Sequence, residues 1–556
     1  MSRRITIAAV GAALLLTACG TGSGEPQSGT NSQADGAEAS GGTLIYATGD
    51  AEPTCLDPHV GGNYPQALIS TQYLEPLVGR DAEGAIQPWL ATDWEVAEDG
   101  LTWDFTLQEG ITFTDGTPVD AEAVKVNIEH LQDPETGSST GYLAVEKIDE
   151  VEPVDETHVR FHLSEPDSSL LESLSQQWTA IQSPAGIERG MDANCAEPIG
   201  TGPFVVVDWV PQQHVLLERN EEYSTPGPEA EHEGPALLEA IEWRFIPDPA
   251  TRSAALTSGE VHVIDNPEPD AIATAGEDIE HIDAPRPGSV NRIELNAGQS
   301  PFDDVRVREA FIRAVDIGPG IDTLYKGVAE RSYSPLSSVE PFAYSDDSLF
   351  TPDPEKARDL LDEAGWSEAD ADGYRVKDGE RLTVRFPVST NQSVAAERAL
   401  FEQIQAQAKD AGFEVILTPL DLSAWYEALE APAKDADDGT EYTYEAVSAP
   451  YTKVGPDVLR ILYHSDGIEP APSGYFANHA QVDDPEVDEL LEQAARDTDV
   501  EARQQTYEDV QRQILQGYYI LPLYDQQNHF LTKGVTGVDT LGTVATPTFI
   551  NAALAE

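Results

Sequence analysis

Gly137-Ser138-Ser139-Thr140-Gly141 has the G-x-S-x-G spacing of a nucleophile elbow. In that motif a strand delivers the serine and a helix leaves it, so the hydroxyl stands exposed for attack on an acyl carbonyl. Here a helical run and Asp133-Pro134-Glu135-Thr136 precede the serine, which predicts a loop and no acyl-transfer site. Asp370-Ala371-Asp372-Gly373 has the start of a calcium loop, but with Gly373 at the turn the closing glutamate falls on Gly379. A hairpin turn is expected there instead. The eleven histidines include no H-E-x-x-H pair. His158 and His162 fall on one face of a strand with Arg160 between them, an exposed face by pattern. No catalytic residue, no metal site and no cofactor is therefore expected, nickel and haem included.

The cysteines are more informative. Arg3 and Arg4 precede an apolar run from Ile5 to Leu16, and Leu16-Thr17-Ala18-Cys19 follows. A basic start, a short apolar core and small residues make residues 1–18 a secretory signal peptide, too short to span a bilayer. The run resembles the lipobox of bacterial lipoproteins, which implies that Cys19 is acylated and becomes the mature amino terminus. Residues 20–42 hold Gly, Ser, Ala and small polar residues without a large apolar side chain, so 19–42 reads as the lipidated cysteine and a flexible linker. Cys55 and Cys195 remain, in a compartment that permits disulfides. They are expected to form a bridge, with two buried free thiols as the alternative.

Positioning these groups falls to a long chain. Its 556 residues exceed what one hydrophobic core organises. The net charge of −68 is spread along the sequence, which excludes nucleic acid as a partner and reads as a solvated acidic surface. Leu101 to Leu107 and His158 to Leu163 alternate as half-buried strands. The second half sets helical runs at 304–316, 354–364, 394–411, 487–496 and 501–517 between strand-like RLTVRFPV, EVILTPL and YYILPLY. Strands alternating with helices indicate α/β lobes.

Several short pieces then match one family in order. They are Leu56-Asp57-Pro58-His59, Tyr73-Leu74-Glu75-Pro76-Leu77, Pro88-Trp89-Leu90-Ala91 and Trp103-Asp104-Phe105-Thr106-Leu107. After them come Asp115-Gly116-Thr117-Pro118, Pro198-Ile199-Gly200-Thr201-Gly202-Pro203-Phe204, Asp304-Val305-Arg306 and Leu361-Asp362-Glu363-Ala364-Gly365-Trp366. Together they resemble the extracellular solute-binding proteins of the oligopeptide, dipeptide and nickel class of ABC importers (family 5). The resemblance implies a two-lobed periplasmic-binding-protein type II (Venus-flytrap) fold of α/β class with an extra third domain. The first lobe would comprise 43–80, 198–285 and 516–556, the extra domain 81–197 and the second lobe 286–515, with hinge crossings near 285 and 515. The motifs themselves are expected to mark the fold, with Asp-Gly-Thr-Pro as a turn and Gly-Thr-Gly-Pro as a close backbone passage.

The same resemblance implies a non-catalytic monomer, anchored by Cys19 to the outer face of the cell membrane. It would capture a small solute, peptide-like or otherwise amphipathic, between its lobes and deliver it to a permease. The chain has no GxxxxGK[ST] loop, so permease and ATPase would be separate chains. By alignment the groove candidates are His59, Asn63, Tyr64, Gln66, Trp425, Tyr451, Thr452, Lys453, Tyr524 and Asp525. Where oligopeptide binders place an acid for the peptide amino terminus, this chain has Thr452 or Lys453, which favours an anionic group on the ligand. The other readings are a surface receptor or chaperone of the same fold without transport, and a secreted hydrolase.

Overall fold

The structure, a computed structural model, describes residues 41–81, 84–390, 392–429, 443–449, 451, 453–468, 470, 476–497 and 499–555. The leader, Cys19, the linker through 40 and Thr452 lie outside the described residues. Among the described residues no helix is long and apolar enough to cross a membrane.

The first lobe is built on a seven-stranded sheet. Strand Thr43–Thr48 runs parallel to Ala240–Phe245 on one side and to Val263–Asp265 on the other. Antiparallel strands His214–Arg219 and Phe204–Val210 extend one edge, and Gln527–Thr532 and Glu280–Pro285 the other. Alternation explains the packing. Tyr46 and Trp243 face the same side, stack with centroids 4.0 Å apart, and pack with Phe204 and Phe549.

The extra domain is a four-stranded antiparallel sheet of Ala91–Val96, Thr102–Leu107, His158–Leu163 and Ile148–Pro153, covered by helix Ala121–Gln132. Trp103, Phe105 and Leu107 are buried while the residues between them are half-buried. On the outer face Arg160 bonds Asp104, and His162 lies 3.3 Å from Glu152. The domain leans on the second lobe through Arg460, which lies 3.1 Å from Glu146 and 3.5 Å from Glu165.

The second lobe pairs Thr383–Ser389 with Glu414–Leu420 in parallel, joined by helix Ala395–Ala411. A further sheet orders Ala446–Val447, Asn291–Leu295 and Ile520–Tyr524. Ile520 and Leu523 belong to the core that holds Ile293 and Leu295. The second crossing therefore falls between Tyr524 and Gln527, not near 515, because 520–524 finds its ladder partner in the second lobe. The two crossings are tied together: Arg286 N donates to Gln526 O at 2.9 Å, and Gln526 Nε2 to Ser289 O at 2.8 Å.

The family motifs sit at junctions. A Cβ at Gly200 or Gly202 would meet the Tyr73 backbone at 2.0 or 2.6 Å, so only glycine lets these segments pass. Glu75 is buried there and accepts from Thr201 (2.6 Å), Tyr223 (2.8 Å) and Thr225 (2.6 Å). Burial pushes its pKa up to about 7, against those bonds. Asp57 accepts from His59 N (2.9 Å), Gln182 (2.6 Å) and Asn194 (2.9 Å), and Cys55 is disulfide-bonded to Cys195 beside it. These acids serve the fold.

Candidate solute-binding cleft

A cavity of about 900 Å³ lies between the lobes and is closed behind by the hinge crossings. The loop after Thr43–Thr48 brings Gly49 and Asp50 to its first wall, and the start of helix Tyr64–Ser70 brings Asn63 and Tyr64. Asn63 caps that helix, its backbone N–H donating to Gln66 Oε1 at 2.9 Å. Such a cap fixes the chain direction at the point where it meets the cavity. The hinge contributes Arg286, Asn291, Tyr524 and Asp525. From the second lobe come Tyr325, Tyr426, Tyr451, His479, and Glu397 and Arg398 in the first turn of Ala395–Ala411.

The polar groups of the cavity are organised in advance. The Arg286 guanidinium lies 4.2 Å from the centre of the Tyr64 ring, a cation–π distance. Tyr64 OH donates to Val544 O at 2.8 Å, which holds the ring under the arginine. Burial pulls the Arg286 pKa down, while Tyr64, Asp50 and Tyr524 oppose the fall. Burial pushes Asp50 up to about 7, reinforced by the charge of Asp265 and opposed by Arg286 and Arg252. On the facing side Asn291 Nδ2 donates to Tyr524 OH at 2.6 Å, and Tyr524 OH donates to Glu397 Oε1 at 3.1 Å. Burial pushes Glu397 up to about 7 as well. The lobes meet over the cavity: Tyr426 OH donates to Asn63 Oδ1 at 3.3 Å.

The ten aligned candidates divide. Asn63, Tyr64, Tyr451, Tyr524 and Asp525 line the cavity. His59 is fully buried behind it, its Nε2 2.8 Å from Ala180 O. Gln66 turns inward to the carbonyls of Cys55 and Val60. Trp425 packs with Leu429, Tyr444 and Val447 inside the second lobe. Lys453 is corrected as a ligand anchor: it is 3% exposed, and its Nζ lies 2.9 Å from Oδ2 of Asp457, four residues onward. That pairing consumes the charge that was expected to face a solute. In the G-x-S-x-G run Ser139, at the end of a loop, and Thr140, the first residue of helix Thr140–Val145, reach the cavity rim. The serine at the nucleophile position, Ser139, is half-buried and donates its hydroxyl to Gly61 O, and no strand delivers it. At Asp370–Gly373 the backbone turns between short strands Glu368–Ala369 and Arg375–Lys377, with Asp370 accepting from Asp372 N and Tyr374 N.

Arg286, Asp50, Asn291, Tyr325, Glu397 and Arg398 had no signal in spacing. They come from four separate stretches of chain and meet only when the lobes do.

A cavity at a hinge between two α/β lobes can enclose a solute and release it by hinge motion. The comparisons agree. The family model described as bacterial extracellular solute-binding proteins, family 5 Middle, matches residues 85–462. The glutathione-binding protein GsiB of Escherichia coli is 29% identical over 476 residues, covering 84% of this chain and 86% of that protein. NikA from Brucella suis, solved with Fe(III)-EDTA, superposes with a TM-score of 0.76 at 25% identity over 92% of this chain and 99% of that one. The oligopeptide-binding protein AppA from Bacillus subtilis, solved with a nonapeptide, gives 0.77 at 23% identity over 93% and 99%. The chain thus has the type II two-lobed binding-protein fold, and it belongs to the bacterial extracellular solute-binding proteins of family 5.

Proposed function

We propose that this chain is the solute-capturing component of an ABC importer and that Arg286 anchors an anionic group of a small, peptide-like or otherwise amphipathic solute. The observation that carries the reading is the Arg286 guanidinium held over Tyr64 at the hinge wall of the cavity, where closing lobes exclude water. Asp50 and Glu397, poised near neutrality, suit a ligand that also carries an amine or hydroxyl donor. The name of the Escherichia coli relative points to glutathione, a peptide with more than one carboxylate, which fits an arginine anchor. The protein acts as a monomer, without catalysis, and passes its cargo to a permease driven by a separate ATPase.

A charge-assisted contact in such a site contributes roughly 1.5–3 kcal/mol, about ten- to a hundred-fold in affinity. Arg286→Ala is expected to weaken the solute that copurifies with the native protein by that factor, read by calorimetry, with the far-ultraviolet spectrum unchanged. An unchanged dissociation constant would remove Arg286 from the site and return the question to the other cleft groups.

The lipobox-like run supports anchoring of the mature chain through acylated Cys19, with the linker as a tether. Two or more acyl chains hold a protein stably on a bilayer, since each buried methylene contributes roughly 0.8 kcal/mol. Cys19→Ser should move the protein from the membrane pellet to the soluble fraction or block leader removal. Wild-type partitioning and lipid labelling in the variant would rule the anchor out.

A further inference from the structure

Strands Glu280–Pro285 and Gln527–Thr532 run antiparallel at one edge of the large sheet, with Asp283 opposite His529 and His281 opposite Leu531. His281 and Asp283 are two residues apart and so share a face. Three ligand atoms converge there. His281 Nε2 lies 3.2 Å from His529 Nδ1 and 3.1 Å from Asp283 Oδ1, and His529 Nδ1 lies 2.6 Å from the same carboxylate oxygen.

Ligand bonds of about 2.0–2.1 Å at a tetrahedral angle place donor atoms roughly 3.3 Å apart. Two of the three edges already fall near that value, and the third opens by well under an ångström when a hydrogen bond is exchanged for coordination. The chemistry suits a borderline cation: two imidazoles and one carboxylate take zinc, nickel or copper in preference to magnesium or calcium.

The setting gives an ion access. His281 and Asp283 line a second pocket of about 420 Å³, with Val328 and Glu330 of the second lobe on its far side. Lys326 also borders it but pairs with Asp270. His529 stands on the wall of the main cleft, so the trio lies at the seam between the two cavities. A second trio, Asp57, His59 and His130, is less suited. It is enclosed, and both oxygens of Asp57 are already engaged by Gln182 and Asn194.

We propose that His281, Asp283 and His529 form a binding site for one divalent transition-metal ion, of the zinc class, at the interlobe seam. Coordination positions left over by the three residues are taken by water or by the carboxylate of Glu330 across the pocket.

The test is a titration of the full mature chain, stripped with chelator, with zinc chloride, and with magnesium chloride as the comparison. One saturable zinc site is expected, with magnesium ineffective, and with a rise in melting temperature because the ion binds only the folded protein. His281→Ala and His529→Ala should each weaken zinc by at least ~10-fold, and so should the milder Asp283→Asn, which keeps the side-chain shape. His158→Ala with His162→Ala, on the exposed face of the extra domain, should change nothing, and His130→Gln should leave the stoichiometry at one. The proposal is overturned if the wild-type protein shows no saturable zinc binding below millimolar concentration. It is equally overturned if Asp283→Asn and the folded histidine variants bind zinc as the wild type does.

Discussion

Replacing Arg292 by methionine is expected to destabilise the second lobe by about 3–5 kcal/mol, although Arg292 does not line the solute cavity. The residue lies on strand Asn291–Leu295 and is 1% exposed. Its guanidinium bonds Ser289 Oγ at 2.8 Å, Val290 O at 3.1 Å and the carboxylate of Glu294, which is also fully buried. Burial by itself would raise the pKa of Glu294. Arg292 and His479, the latter 3.2 Å away, overcome that and hold it below the ordinary value. Without the arginine the carboxylate is left in an apolar interior with one histidine, and it must take a proton or draw in water. Folded domains are stable by only about 5–15 kcal/mol, so this loss is large. The double variant Arg292→Met with Glu294→Leu should recover most of it, because both desolvated charges are gone. Urea unfolding, with hydrogen exchange read on the amides of 291–295, would measure both. A single variant as stable as wild type would show that the pair contributes no net interaction. A double variant no better than the single would locate the cost in packing.

Much of this architecture was legible because burial imposes a period. Trp103, Phe105 and Leu107 point one way because a sheet with one covered face demands it, and the alternation stands in the sequence. The helical run 394–411 was legible too, and in the structure Gly412, in the left-handed region at φ 105°, ends helix Ala395–Ala411. The boundary at the second crossing was not legible. Strand 520–524 is buried at every position, so its pattern does not say which sheet it joins. The cleft was half legible. Asn63 and Tyr64 could be placed by alignment because they follow Leu56-Asp57-Pro58-His59, and Tyr524 and Asp525 because the first closes the strand-like YYILPLY run and the second follows it; Tyr451 was placed by alignment alone. Lys453 misled because a lone cation in a segment that the family resemblance places at the ligand invites that role, yet Asp457 four residues on was the sign of a local pair. Arg286 follows a strand end and precedes a glycine-containing turn, with no periodic signal, and its partner Tyr64 is more than two hundred residues away. The histidine trio was hidden for the same reason: His281-x-Asp283 is a local pattern, but His529 arrives from the far end of the chain.

Removing the Cys55–Cys195 bridge should cost about 3–5 kcal/mol, and the loss should arise chiefly in the unfolded chain. The cysteines are 140 residues apart, and chain-entropy arguments give roughly 5 kcal/mol for closing a loop of that length. The native side changes little on reduction, because other bonds hold the same junction. Leu56 N donates to Cys195 O at 2.8 Å, and Asn194 Nδ2 donates to Asp57 Oδ2 at 2.9 Å. The closed loop contains the whole four-stranded sheet of the extra domain together with helix Ala121–Gln132. Freed of the bridge, that domain should open more often as a unit, so its amides should exchange faster than those of the second lobe. Cys55→Ala with Cys195→Ala, followed by denaturant unfolding and domain-resolved hydrogen exchange, tests this. Two thiols alkylated in the untreated native protein would show that the bridge is absent. Equal unfolding midpoints for the wild type and the double variant, with the bridge verified by non-reducing peptide mapping, would mean that the denatured chain is already compact enough to make the constraint redundant. The Asp57 network separates these cases: Asp57→Asn weakens the junction in the folded state, so it should speed exchange around residues 182–195 even with the disulfide intact.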